Sequence, residues 1–199
     1  DHTFASAIPM STRPDFVHLH LHTEFSLLDG AIRHDALMDQ VVAHGSKAVG
    51  MTDHGNMFGA ISFYDEAKAR GLKPILGCEM YVAPGSRFEK TSGGIGEAAY
   101  HLTVLATNAA GYTNLCRLVT TGYLEGFYYR PRIDISLLEQ HNEGLIALSG
   151  CLGAEVPHKL VHQGRGAAMQ AVERYRGIFG DRYYLELQKN EVGEQQQVN

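Results

Sequence analysis

The chain has 199 residues, 44% of them hydrophobic, with a formal net charge of -5. That length fills one well-packed core, and the composition excludes a disordered segment. With no excess of Lys and Arg, the charge excludes a dedicated duplex-DNA binder, whose affinity comes from covering phosphates with cationic side chains.

No apolar run approaches the roughly 20 residues that a membrane helix needs. The three cysteines, Cys78, Cys116 and Cys151, are odd in number and irregular in spacing. They form no disulfide framework, which points to a reducing cytoplasm. The 11 histidines are the compositional outlier and direct the search to metal sites. Residues 1–12 lack the pattern of a signal peptide and are set apart as an N-terminal extension or leader. Residues 13–199 are read as one domain.

Phe16 to His22 reads FVHLHLH, in which apolar residues alternate with His18, His20 and His22. That period of two predicts a strand with one histidine face. A helix is predicted over Asp35–His44, closed by Gly45. A strand over Lys47–Thr52 runs into Asp53, His54 and Gly55, and a helix over Ala60–Arg70 stops at Gly71. A third strand covers Pro74–Val82 and contains Glu79.

Ala83 to Glu97 is rich in Gly, Ser and charge and predicts a mobile loop. A strand at His101–Ala106 and a helix at Ala110–Thr121 follow. Gly126–Asp134 reads as irregular. A short helix at Ser136–Gln140 precedes a strand at Leu145–Ser149, then one or two helices across Glu155–Phe179, then a strand at Tyr183–Gln188. This alternation predicts an α/β fold with a parallel sheet and crossover helices. The candidate ligands fall at strand ends, where barrels gather functional groups, and a barrel would bring them together. His101 departs from that rule, because it starts its strand.

On a strand, residues i and i+2 point the same way, so His20 and His22 can reach one ion. A solvated His-x-His face is the commoner alternative. Glu79 lies inside the apolar run ILGCEMYV, where a carboxylate is costly unless paired or bound to metal. A salt bridge would serve equally well. Asp29 before Gly30 reads alone as a turn. His54 follows Asp53 just past a strand, where a helix cap is the ordinary reading. Cys151 at a strand end reads as a buried hydrophobe or, as a thiolate, a ligand for zinc-like metals. Together these residues would need many unrelated coincidences at equivalent places, and the joint reading is a multinuclear metal site.

The runs HLHTEFSLLDGA, TDHGNMFGA, GCEMYVAPGSR, YHLTVLA, FYYRPRID and LSGCLGAE resemble the PHP domain of bacterial replicative DNA polymerase III alpha subunits. The resemblance implies a PHP-type distorted seven-stranded βα barrel with two to three divalent metal ions, zinc, manganese or iron. Carried over by position, His20, His22 and Glu79 would hold the first metal. Glu79 would bridge to a second with His101 and Cys151, and Asp29 and His54 would hold a third. The family's last motif, Asp-x-His, has no counterpart before Asn199, so the barrel is expected to be C-terminally incomplete here.

The implied activity is metal-dependent phosphodiester hydrolysis, with 3′-5′ exonuclease proofreading as the expectation. The implied partners are a DNA 3′ end, the remaining polymerase domains and other replisome subunits. Arg130 and Arg132 are the candidates to contact substrate phosphate; ordinary surface arginines are the alternative. Tyr128 and Tyr129 are read as core or base-stacking residues. Two other functions stand beside this one: an inactive scaffold domain of the polymerase, and a free-standing phosphatase of small esters.

Overall fold

The computed structural model describes residues 16–91 and 99–199. The proposed leader, residues 1–12, lies outside them. The described part begins with an extended segment, residues 16–22, followed by α1 (His34–Ala43), β1 (Ala48–Met51), α2 (Ala60–Ala69) and β2 (Lys73–Val82). It continues through β3 (Tyr100–Ala106), α3 (Ala109–Leu124), β4 (Arg132–Ile133), α4 (Ile135–Gln140) and β5 (Leu145–Leu148). It ends with α5 (Glu155–Gln163), α6 (Arg165–Phe179), β6 (Tyr183–Tyr184) and α7 (Gly193–Val198). The predicted helices recur within a few residues, except that α7 was not foreseen and Gly126–Asp134 contains β4.

Local chemistry accounts for many boundaries. The α1 helix stops where Gly45 takes φ 75°, a conformation that favours glycine. Asn108 and Asp134 begin α3 and α4 by accepting hydrogen bonds from Gly111 N and Leu137 N. Period-two burial sorts the strands. Cys78, Met80 and Val82 of β2, Leu102 and Val104 of β3, and Leu145 and Ala147 of β5 enter one core with Leu115, Leu118 and Phe179. A second cluster joins β1 to α1 and α2 around Met38, Met51 and Phe63. Each fully buried Leu or Phe here contributes about 1.5–3 kcal/mol by leaving water. The opposite face of the sheet, with Glu79, His101 and Thr103, is left for chemistry.

The sheet path is β1-β2-β3-β5-β6, with β4 pairing the end of β2. Among the described residues no pairing joins β1 to β6. The expected parallel sheet is corrected to a mixed one. The pairs β1–β2, β2–β4 and β5–β6 are parallel, but β3 is antiparallel to β2 and β5. The physical reason is the connection from β2 to β3, whose described residues hold no crossover helix, so the chain returns in reverse. This reversal also explains His101. The start of an antiparallel strand lies beside its neighbour's end, and His101 pairs with Tyr81 near the end of β2.

Two predicted strands prove mostly unpaired. Residues 16–22 run along β1 through Gly50 N donating to His18 O at 2.7 Å and Thr52 N to Leu21 O at 2.8 Å. The Leu21 N–H goes to the Thr52 hydroxyl at 2.8 Å, so a side chain replaces the next ladder bond. Beyond β6 the same device recurs, because Glu186 N donates to the Ser149 hydroxyl at 2.9 Å. The first part of the predicted mobile loop is tied down by an ion pair between Arg87 and Asp134 at 3.1 Å. Residues 92–97 of that loop lie outside the described residues.

Candidate metal centre

Glu79 is the hub. Its side chain is 1% exposed, and neighbouring segments hold it from both sides. Glu79 N donates to Asp53 O at 3.1 Å and Glu79 O accepts from Gly55 N at 2.9 Å, which sets His54 beside it. On the other side β3 brings Thr103 opposite Glu79. His101 N donates to Gly153 O at 3.0 Å, which draws the Cys151 turn alongside.

Glu79 Oε2 lies 2.8 Å from His20 Nε2, 3.0 Å from His22 Nε2 and 3.6 Å from His54 Nδ1. Glu79 Oε1 meets His101 Nδ1. Cys151 Sγ is 3.4 Å from that same nitrogen and 3.9 Å from Glu79 Oε1. Asp29 Oδ2 stands 3.1 Å from His54 Nε2, on the outer side of the ring. All seven expected ligands therefore stand in one connected cluster.

The loop that carries Asp29 is held by Asp53. This buried carboxylate accepts from Thr23 N at 2.6 Å, Thr23 Oγ1 at 2.8 Å and Ser26 Oγ at 2.7 Å. Asp53 thus shapes the turn, whereas its neighbour His54 faces the cluster. Glycine is required at two close approaches. A Cβ on Gly50 would lie 2.7 Å from Leu19 O, and one on Gly30 would lie 1.8 Å from Thr23 O.

Electrostatics follow from this packing. Burial alone would raise the Glu79 carboxyl, but hydrogen bonds from His101, His20 and His22 outweigh it and hold the group well below the usual carboxylate range. Burial opposes the charge on His20, yet bonds to Glu186 and Glu79 raise it to about 10. His101 is likewise raised to about 9, against burial, by Cys151 and Glu79. For His54 burial wins over Glu79 and the pKa is lowered.

The donor set fits divalent cations. Imidazole, carboxylate and thiol donors are the ligands of zinc, iron and related ions. Among the described residues two groups could hold an ion, His20 with His22 and Glu79, and His54 with Glu79 and His101. They share Glu79. His54 Nδ1 is buried with no hydrogen-bond partner among the described residues, a lone pair suited to a cation. Among the described residues His54 thus groups with Glu79 and His101, while its Nε2 faces Asp29, the residue that the family resemblance pairs with it.

The two candidate arginines part company. Arg130 donates to the Tyr81 hydroxyl, and its guanidinium lies 4.7 Å from the centre of that ring. Tyr81 in turn packs edge-on against His101 at 5.2 Å, so Arg130 stands at the rim of the cluster. Arg132 is 2% exposed. It donates to Gly126 O at 3.1 Å, Arg87 O at 3.1 Å and Glu89 O at 2.7 Å. With Nε and Nη2 bonded to backbone carbonyls, Arg132 is tied into the fold and withdrawn from solvent. Tyr129 is exposed and takes φ 58°, the left-handed region.

Sequence reasoning missed Glu186, which meets His20 Nδ1 at 2.7 Å. The signal was present. Glu186 stands in the predicted strand YYLELQ, as isolated among apolar residues as Glu79 in its own. The cluster opens into a cleft of about 1770 Å3, whose walls include Leu76, Leu105, Leu148 and Leu187.

A mixed α/β sheet bearing this His, Glu and Cys cluster defines a protein equipped to hold divalent cations. The chain belongs to the PHP domain family, whose model matches residues 18–190. It is 48% identical over 193 residues to the DNA polymerase III subunit alpha of Thermus aquaticus, covering 96% of this chain and 16% of that protein. It is 49% identical over 191 residues to the subunit alpha of Aquifex aeolicus, covering 93% of this chain and 16% of that protein. The chain therefore spans about a sixth of the length of these curated relatives. A solved structure described as a putative metal-dependent phosphoesterase from Bifidobacterium adolescentis aligns with 53% of this chain and 32% of its own, at 19% identity and a TM-score of 0.38. No helix among the described residues is long and apolar enough to cross a membrane.

Proposed function

We propose that this chain is the PHP portion of a replicative DNA polymerase III alpha subunit. In this reading it is a metal-dependent phosphodiesterase that removes nucleotides from a DNA 3′ end in the cytoplasm, alongside other replisome subunits. The observation that carries the reading is Glu79, a buried carboxylate with His20, His22, His54 and His101 around it and Cys151 at its far oxygen. His20, His22 and Glu79 would hold one ion, and His54, Glu79 and His101 another, with Cys151 and Asp29 completing the shell. Ions so held would supply a nucleophilic water near neutral pH and would offset the charge that develops at a phosphoryl group.

The protein's own residues do the rest. Glu79 and the histidines would hold the cations. Arg130, held on Tyr81 at the rim of the cluster, would pair with a phosphate oxygen that reaches the cations. The sheet is read as part of a barrel wall, because residues 16–22 lie outside β1 and His20 reaches Glu186 beyond β6.

The test is hydrolysis of a labelled primer with a mismatched 3′ end by the domain extended through the family's Asp-x-His motif and supplied with zinc, manganese or iron. Glu79→Ala and a chelated sample run alongside. Stepwise shortening from the 3′ end, absent in both controls, is the expected result. Bound metal without hydrolysis would overturn it in favour of a scaffold, and faster turnover of a small phosphate monoester would favour a phosphatase.

A further inference from the structure

His20 sits between two carboxylates. Its Nε2 faces Glu79 Oε2 at 2.8 Å and its Nδ1 faces Glu186 Oε1 at 2.7 Å. The Glu186 and His20 side chains are 12% and 11% exposed, so water competes weakly for either bond. Resting on the metal-centre reading above, we infer that Glu186 is the positioning carboxylate of His20. By accepting a hydrogen bond from Nδ1–H it holds the ring in the tautomer that presents the Nε2 lone pair to the cation beside Glu79.

Three observations support this role over that of a ligand. Glu186 approaches the nitrogen of His20 that points away from Glu79, so the ring stands between the two carboxylates. Neither group of residues able to hold an ion includes Glu186. Its own placement is also fixed from outside the cluster. Glu186 N donates to Ser149 Oγ at 2.9 Å, Gln188 Nε2 donates to Glu186 Oε1 at 2.6 Å, and Ser149 N donates to Tyr184 O at 2.9 Å. The residues after β6 are thereby anchored to the end of β5 and carry the carboxylate to the histidine. Thr103 Oγ1 is a second and longer partner of the same nitrogen, at 3.3 Å.

A carboxylate behind a ligating imidazole fixes its tautomer and raises its basicity, and its loss typically weakens metal binding about 10–100-fold. Glu186→Gln keeps the shape and an acceptor oxygen but removes the charge. Glu186→Ala leaves only the Thr103 hydroxyl.

The experiment measures zinc affinity by competition with a chelating dye for the unmodified chain, Glu186→Gln, Glu186→Ala and Glu79→Ala. The ring tautomer of His20 in the zinc-loaded protein is read by long-range 1H–15N correlation, and thermal melting checks that each variant folds. The expected result is an Nδ1–H tautomer for His20, an affinity loss of about 10–100-fold in Glu186→Ala and a smaller loss in Glu186→Gln. Unchanged affinity and an unchanged His20 tautomer in Glu186→Ala, with zinc lost in Glu79→Ala, would overturn the role of Glu186 and leave the metal centre standing. No zinc uptake by the unmodified chain would overturn the metal centre, and the inference with it.

Discussion

At the scale of single residues, the site depends on backbone approaches as much as on ligands. His20 and His22 reach Glu79 only because residues 16–22 press against β1, and that contact has no room for a side chain at position 50. A Cβ there would stand 2.7 Å from Leu19 O and 2.9 Å from His18 O, both backbone atoms that cannot swing aside. Gly50→Ala should therefore destabilise the chain by about 1–3 kcal/mol, the usual range for overpacking. It should also displace the His20 segment and weaken zinc binding while leaving the helices intact. Calorimetry and dye competition check both parts. An alanine variant with unchanged melting temperature and affinity would show that the segment is not held as described. The requirement at Gly50 was invisible in the sequence, because it arises from a segment some thirty positions earlier. The need for a partner at Glu79 was legible, because a carboxylate in an apolar run demands one wherever the strand packs.

At the scale of elements, α5 and α6 are joined by a buried carboxylate outside the metal cluster. Glu155 accepts from the Tyr175 hydroxyl at 3.0 Å, pairs with Lys159 at 2.8 Å and meets Arg174. Burial alone would raise the Glu155 carboxyl, but Arg174 and Lys159 hold it below the ordinary value of 4.5. A depressed folded value means that the stability from this group is present above the unfolded pKa and is lost as pH falls through the folded one. Glu155→Gln should lower stability at neutral pH by about 1–3 kcal/mol. That is less than for a fully buried pair, because the cationic partners are partly exposed. The difference from the unmodified chain should shrink in acid, and urea midpoints at neutral and acidic pH measure it. A constant difference at all pH values would assign the effect to packing instead. The helices themselves were readable from periodicity and from glycine stops such as Gly45 and Gly71. The direction of β3 was not, since periodicity says which face a strand buries and nothing about which way its neighbour runs.

At the scale of the whole molecule, the net charge of -5 leaves the protein without a general attraction for DNA. In the proposed reading, cations at Glu79 and the guanidinium of Arg130 at the rim of the cluster supply the positive charge that meets the DNA end. Binding of a labelled single-stranded DNA 3′ end, followed by fluorescence anisotropy, should therefore vanish on chelation and weaken severalfold in Arg130→Ala. Binding that survives chelation would place the DNA contact elsewhere on the surface.

The sequence by itself determined the candidate ligand types, the shared face of His20 and His22, the helices other than α7, and the strands that enter the core. These follow from neighbours a few positions apart, through side-chain alternation and the free energy of burying apolar groups. Only the tertiary structure decided that β3 runs antiparallel, which puts His101 at the ligand edge. It also decided that Arg130 meets Tyr81 while Arg132 bonds backbone carbonyls, and that Glu186 meets His20 from 166 positions away. Those outcomes depend on strand order and on which buried donors find acceptors, and no local pattern carries that information.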